Sequence, residues 1–257
     1  MIRIRTAGSL AGLILSTVLV AGPAVAASVP SPQATAPAAA SFSFRCAAEW
    51  IAAHGSLSVA AWQAVGDCDV DRRLETISRV RSGIASATVI TADHRSALNG
   101  ILDASQSGLT TLRAKIDGDT TLASLRVDDH AIFADYRIYA LVARQAALVR
   151  GDDAVAAAAA RLTDGAAKIQ TAITTAQGKG KDVTVATTQL AAMQAAIASA
   201  LAKVSGDTAA VLALTPAGWN AGTAGPVLDA ARASIKGARA DLAAALADGK
   251  AAIAALK

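Results

Sequence analysis

The sequence predicts an all-α protein made of elongated, antiparallel, coiled-coil-like bundles: two three-helix bundles sharing one long helix. Three observations predict it. Alanine, the strongest helix former, supplies about a quarter of the 257 residues. Apolar residues recur at steps of three and four along most of the chain, which is the spacing of one helix face. No stretch shows the strict apolar–polar alternation of a half-buried strand.

The first residues carry an export signal. Arg3 and Arg5 precede an apolar run from about Leu10 to Val20, followed by Gly22-Pro23 and by Ala24-Val25-Ala26, the small-x-small pattern of a cleavage site. A signal peptide over 1–27 is expected, cleaved after Ala26 or Ala27 and using the general secretory route, because the arginines are not a twin pair. An uncleaved anchor is opposed by Pro23 and by the Ala-x-Ala pattern. With the signal removed, no integral membrane segment is expected. Residues 28–41, rich in Pro, Ala and Ser, read as a spacer.

Residues 42–69 read as a short helical segment with Trp50 and Trp62 as local core. Cys46 and Cys68 are the two cysteines of the chain, and an exported pair of this kind forms a disulfide. A metal site would need further ligands, and His54 is the only other obvious one between them.

From Val70 the pattern is helical. Leu74, Ile77 and Ile84 mark a helix over 70–87. Thr91 is placed as the N-cap of the next, with Asp93 in its first turn. That helix carries Leu98, Ile101, Leu102, Leu109, Leu112 and Ile116 and ends at Asp117-Gly118-Asp119. The longest pattern runs from about Asp128 to Gln177, with Gly151-Asp152-Asp153 as the one place it could break. Gly178-Lys179-Gly180-Lys181 reads as a hairpin tip. Leu190, Met193, Ile197, Leu201, Val204 and Val211 mark a helix over 183–214. Leu228, Ile235, Ala238, Leu242, Leu246 and Ile253 mark the last, over 226–256. The domains expected are an N-terminal bundle over 70–150 and a C-terminal bundle over 151–257, with the long helix continuous through Gly151. One glycine costs only about 1 kcal/mol in a helix interior, so Gly151→Ala is expected to stabilise a continuous helix slightly.

Charge excludes one class of function. The formal net charge is +4, and losing Arg3 and Arg5 with the signal brings the exported chain nearer neutrality. Lysine and arginine are spread singly, so no basic footprint for nucleic acid is present.

A search for chemistry finds little. His54, His94 and His130 are far apart and belong to no metal motif; each reads as a surface or boundary residue. The chain has no phosphate-binding glycine loop, dinucleotide fingerprint or nucleophile elbow, so no cofactor is expected. Asp67, Asp69 and Asp71 match the first, third and fifth positions of a calcium loop. Arg72 stands where its glycine should be and Ser78 where its bidentate glutamate should be, so the loop fails. The three acids read instead as N-terminal acids of the 70–87 helix.

The most distinctive local feature is Phe133, Tyr136 and Tyr139. With Ile132 they are spaced to share one helix face. A core where three helices meet would use such residues, and so would a binding hot spot. The core reading is favoured because aromatics are only 3% of the chain.

The run Ile132-Phe133-Ala134-Asp135-Tyr136-Arg137-Ile138-Tyr139-Ala140-Leu141-Val142, with Gly108-Leu109-Thr110-Thr111-Leu112-Arg113-Ala114-Lys115-Ile116-Asp117 before it, resembles segments of exported helical proteins of actinobacteria. The resemblance extends over about residues 70–256. It implies a secreted, coiled-coil-like fold and carries no activity, substrate or functional residue. The export signal, the spacer, the long heptad-like helices and the absence of catalytic motifs give the function expected, that of a non-enzymatic secreted or cell-envelope protein acting by protein or surface interaction. Its partner would be an unidentified protein or envelope component. Amphipathic lipid-surface binding and small-ligand binding between helices remain as alternatives.

Overall fold

The computed structural model describes residues 46–257; the expected signal peptide and spacer lie outside them. The described residues contain helices and no strand. The helices are α1 (Ala47–Ser56), α2 (Val59–Ser86), α3 (Ala92–Gly118), α4 (Leu122–Ala134), a π-helical turn (Ile138–Val142), α5 (Ala143–Gln177), α6 (Thr184–Val204), α7 (Asp207–Leu212), α8 (Pro216–Asn220) and α9 (Ala224–Ala254).

Local chemistry sets many of the helix starts. Ser58, Thr91, Thr121 and Thr215 each stand at an N-cap, and each side chain accepts a backbone N–H of the first turn, from Ala61, His94, Ser124 and Gly218 in turn. Pro216 occupies the first turn of α8, where its missing N–H costs nothing. Gly180 and Gly206 sit at positive φ, 74° and 85°, and turn the chain at the ends of α5 and α6.

Two cores result. The first gathers Val70, Ile77, Leu98, Leu102, Leu109, Ile116, Leu125, Ile132, Ile138, Leu141 and Val149. It also takes in Val211, Leu228 and Ala231, from the segment expected to serve the C-terminal bundle alone. The second is the antiparallel bundle of α5, α6 and α9. Its seam is thin: Ala186, Ala200, Ala238, Ala245 and Ala252 are fully buried. Alanine adds little apolar area per residue, so this bundle draws its stability from length. By length and composition Thr184–Leu212 is apolar enough to cross a membrane. Within it Ala186, Leu190, Met193, Ile197 and Ala200 are buried in the bundle.

Four features differ from those the sequence suggests. First, α2 begins at Val59, not near Val70, so Asp67, Asp69 and Asp71 lie in a helix interior and are not N-terminal acids. Second, the 183–214 helix is interrupted at Ser205-Gly206, where the positive-φ glycine redirects the chain into α7, and Leu201 is exposed because the buried face of α6 runs through Ile197 and Ala200. Third, Trp50 is 52% exposed and packs on His54, whose other neighbour is the half-buried Trp62.

Fourth, the long helix begins after a break at Asp135–Arg137 and not at Asp128; it does continue through Gly151. From Ala143 its 35 residues extend about 52 Å. Gly151 is buried, and a methyl group there would lie 2.9 Å from Ile235 Cδ1. The helix-propensity gain expected of Gly151→Ala is therefore opposed by crowding against α9.

The two acids after Gly151 explain why this stretch is conspicuous. Both are buried and serve different helix starts. Asp153 accepts the Thr91 N–H at 3.0 Å and lies 2.8 Å from His94 Nδ1, holding the start of α3. Asp152 accepts the Thr208 hydroxyl at 2.7 Å, at the start of α7. Burial raises the Asp152 pKa, and the bond from Thr208 works against that shift.

Candidate functional site

The break in the long helix creates the site. Asp135 and Tyr136 form a turn, and Arg137 after them sits in the left-handed region at φ 45° and ψ 38°. The chain re-enters as a π-turn, where the Val142 N–H reaches the Arg137 carbonyl at 3.3 Å. A π-turn inserts an extra residue and changes the phase of everything after it. Ile138, Leu141 and Val142 thereby meet the core, while Tyr139 is carried to the surface. A latch from α8 holds the turn: Arg137 Nε donates to Asn220 Oδ1 at 2.7 Å, and Asn220 Nδ2 donates to the Ala134 carbonyl at 2.9 Å. A left-handed non-glycine residue costs energy and persists only where its surroundings enforce it, often at functional sites.

The expected aromatic cluster is therefore divided. Tyr136 packs inward over Gly108, where a methyl group would lie 2.5 Å from a ring carbon. Phe133 and Tyr139 are 45% and 44% exposed. They do not form a shared core face, because the break between them changes the helix phase.

Between these two rings lies Arg73 of α2. Its guanidinium carbon is 4.3 Å from the Phe133 ring centroid and 5.3 Å from that of Tyr139. The side chain is buried, and it donates to the Asp69 carbonyl at 2.7 Å and to the Asp69 carboxylate at 3.2 Å. Burial lowers its pKa and Asp69 pulls the other way. A buried cation held by rings and a carboxylate is a rigid platform. Beside it, Arg72, Thr76, Arg79, Val80 and Tyr139 line an open groove of about 530 Å³. Sequence spacing reveals Phe133 and Tyr139 but not Arg73, which lies sixty residues away in the chain.

Other expected residues fall elsewhere. Cys46 and Cys68 form a disulfide, with an S–S distance of 2.05 Å. His94 is engaged with Asp153, so it is more than a boundary residue. His130 is exposed. Among the described residues no group of His, Cys, Asp and Glu is arranged to hold a metal ion. Asp67 and Asp71 pair with Arg113, and Asp69 pairs with Arg72 and Arg73.

Asp129 of α4 stands over Gly66, facing the same acidic region. Burial, then Asp69, Asp119, Asp128 and Asp67, raise its pKa from 3.8 to about 6. The folded pKa exceeds the unfolded one, so the native state holds the proton more tightly. The resulting stability is present in full below pH 3.8 and is lost as pH rises through about 6. Asp129→Asn should thus be more stable than the parent at pH 7.5, with the difference vanishing near pH 3.5. Because Asp129 is only half-buried, solvent screening limits the gain to about 1 kcal/mol. Urea unfolding of both proteins at the two pH values measures this; an equal difference at both would contradict it.

No protein-family model, no curated protein and no solved structure matches this chain.

Proposed function

We propose that this chain is a non-enzymatic exported helical-bundle protein, of the kind found in actinobacteria, that acts by binding a protein or envelope component. The observation that carries this reading is the Phe133–Arg73–Tyr139 platform. Aromatic rings and arginine are the residues that concentrate binding energy at interfaces, and rings half-exposed on a fixed base lose little conformational freedom on binding. The export reading rests on the first 27 residues and is supported by the Cys46–Cys68 disulfide, since such bonds persist in oxidising compartments.

The test compares the exported protein with Phe133→Ala/Tyr139→Ala as bait on culture supernatant and cell-wall extract. One component should be retained by the parent and lost by the variant, whose helicity and melting should stay close to the parent's. A component retained equally by both would overturn the platform as the contact surface. N-terminal sequencing of the secreted material should start near Ala27 or Ser28; a start at Met1 would overturn export by cleavage.

A further inference from the structure

A second surface lies between α5 and α9, away from the aromatic platform. A groove of about 380 Å³ opens there, within the range of small-molecule sites. Its apolar lining is Leu148, Leu228 and Ile235, and Gly151 contributes no side chain to obstruct it. Its cations are Arg144 on α5 and Arg232, Lys236 and Arg239 on α9.

These cations are poorly balanced. Arg144 pairs with Asp229 at 2.7 Å. Arg232, Lys236 and Arg239 are exposed and form no ion pair among the described residues. They stand at i, i+4 and i+7, so they line one face of α9, where like charges repel along the helix. That repulsion disappears when an anion lies between them. Apolar lining and cations together ask for a ligand with both characters. Because the lining is recessed between two helices, a flat bilayer would meet the cations and not the floor.

We propose that this groove binds a free anionic amphiphile. Its phosphate or carboxylate head is held by Arg232, Lys236 and Arg239, and its apolar body lies on Ala147, Leu148 and Ile235. The test is calorimetric titration of the exported chain with dodecyl phosphate below its micelle concentration. Inorganic phosphate and phosphatidylglycerol vesicles serve as separate arms. Saturable binding of one dodecyl phosphate is expected, with inorganic phosphate weaker by about tenfold or more and vesicles not retained. Arg232→Ser/Lys236→Ser/Arg239→Ser should weaken dodecyl phosphate by about tenfold or more. Arg161→Ser/Lys168→Ser/Lys250→Ser, which removes the same charge elsewhere, should change it by less than roughly twofold.

In the unaltered protein the Gly151 and Ile235 amide resonances should shift during titration, a readout that does not depend on any variant folding. Four results would each overturn the proposal: no saturable binding, equal losses in both triple variants, inorganic phosphate as tight as dodecyl phosphate, or unmoved Gly151 and Ile235 resonances. Retention on vesicles without binding of the free amphiphile would assign the cations to a membrane surface and overturn it as well.

Discussion

Gln145→Ala should lower the unfolding free energy by about 2–4 kcal/mol, the sum of a cavity and the loss of buried hydrogen bonds. Gln145 is 1% exposed, on α5 inside the first core. Its Nε2 donates to the Val211 carbonyl at 2.8 Å and the Leu214 carbonyl at 3.1 Å. Those carbonyls lie where α7 ends and the chain turns toward α8, a stretch too short to satisfy its own polar groups. Gln145→Glu is the sharper comparison. It keeps the volume but, when ionised, presents only acceptors to two carbonyls, so its loss should be at least as large. Guanidinium unfolding measures both. A change under about 0.5 kcal/mol in either would mean that the carboxamide does not pin α7.

Removing the disulfide should act nearly as strongly, though in one place. Cys46 and Cys68 are 22 residues apart, and closing a loop of this length contributes about 3 kcal/mol in the chain-entropy picture. Helix α1 has little else to hold it: within it only Ala53 is buried, and Leu57 at its end sits exposed at φ 51°. In Cys46→Ser/Cys68→Ser, residues 47–56 should exchange their amide hydrogens almost as an unfolded chain does, and proteases should cut near Leu57. The interior of α3 should keep its protection. Unchanged protection over 47–56 would show that packing of Trp50 and Trp62 against His54 suffices without the bridge.

Much of the fold was legible because its signals are local. Thr91 predicted the start of α3, Asp117-Gly118 its end, and Gly178 to Lys181 the tip between α5 and α6, each through one residue's own conformational preference. The interruption at Arg137 was not legible. A left-handed arginine has no sequence signature, and the three-and-four spacing of Ile132, Phe133, Tyr136 and Tyr139 continues across it. Its cause is distant: Asn220 holds the turn from eighty-three residues away. The start of α2 at Ser58 was not read either, because the aspartates at 67, 69 and 71 make a stronger apparent start near Val70. The candidate sites follow the same division. Phe133 and Tyr139 can be read from their spacing, whereas Arg232, Lys236 and Arg239 are among the singly spread cations and come together only on the face of α9. Arg73 between the rings and Gly151 under the cations come from other helices, and only packing brings them there.

Asp152 and Asp153 give α5 a property that neither core has alone. Adjacent helical residues point about 100° apart, and here the two directions end at the first turns of α3 and of α7. Turning α5 about its own axis would break the bonds of Asp153 to Thr91 and His94 and release Thr208 together, so the rod behaves like a camshaft whose angle is locked at both followers. The Gly151–Ile235 contact lies one residue before the two acids and blocks translation of α9 across the same point.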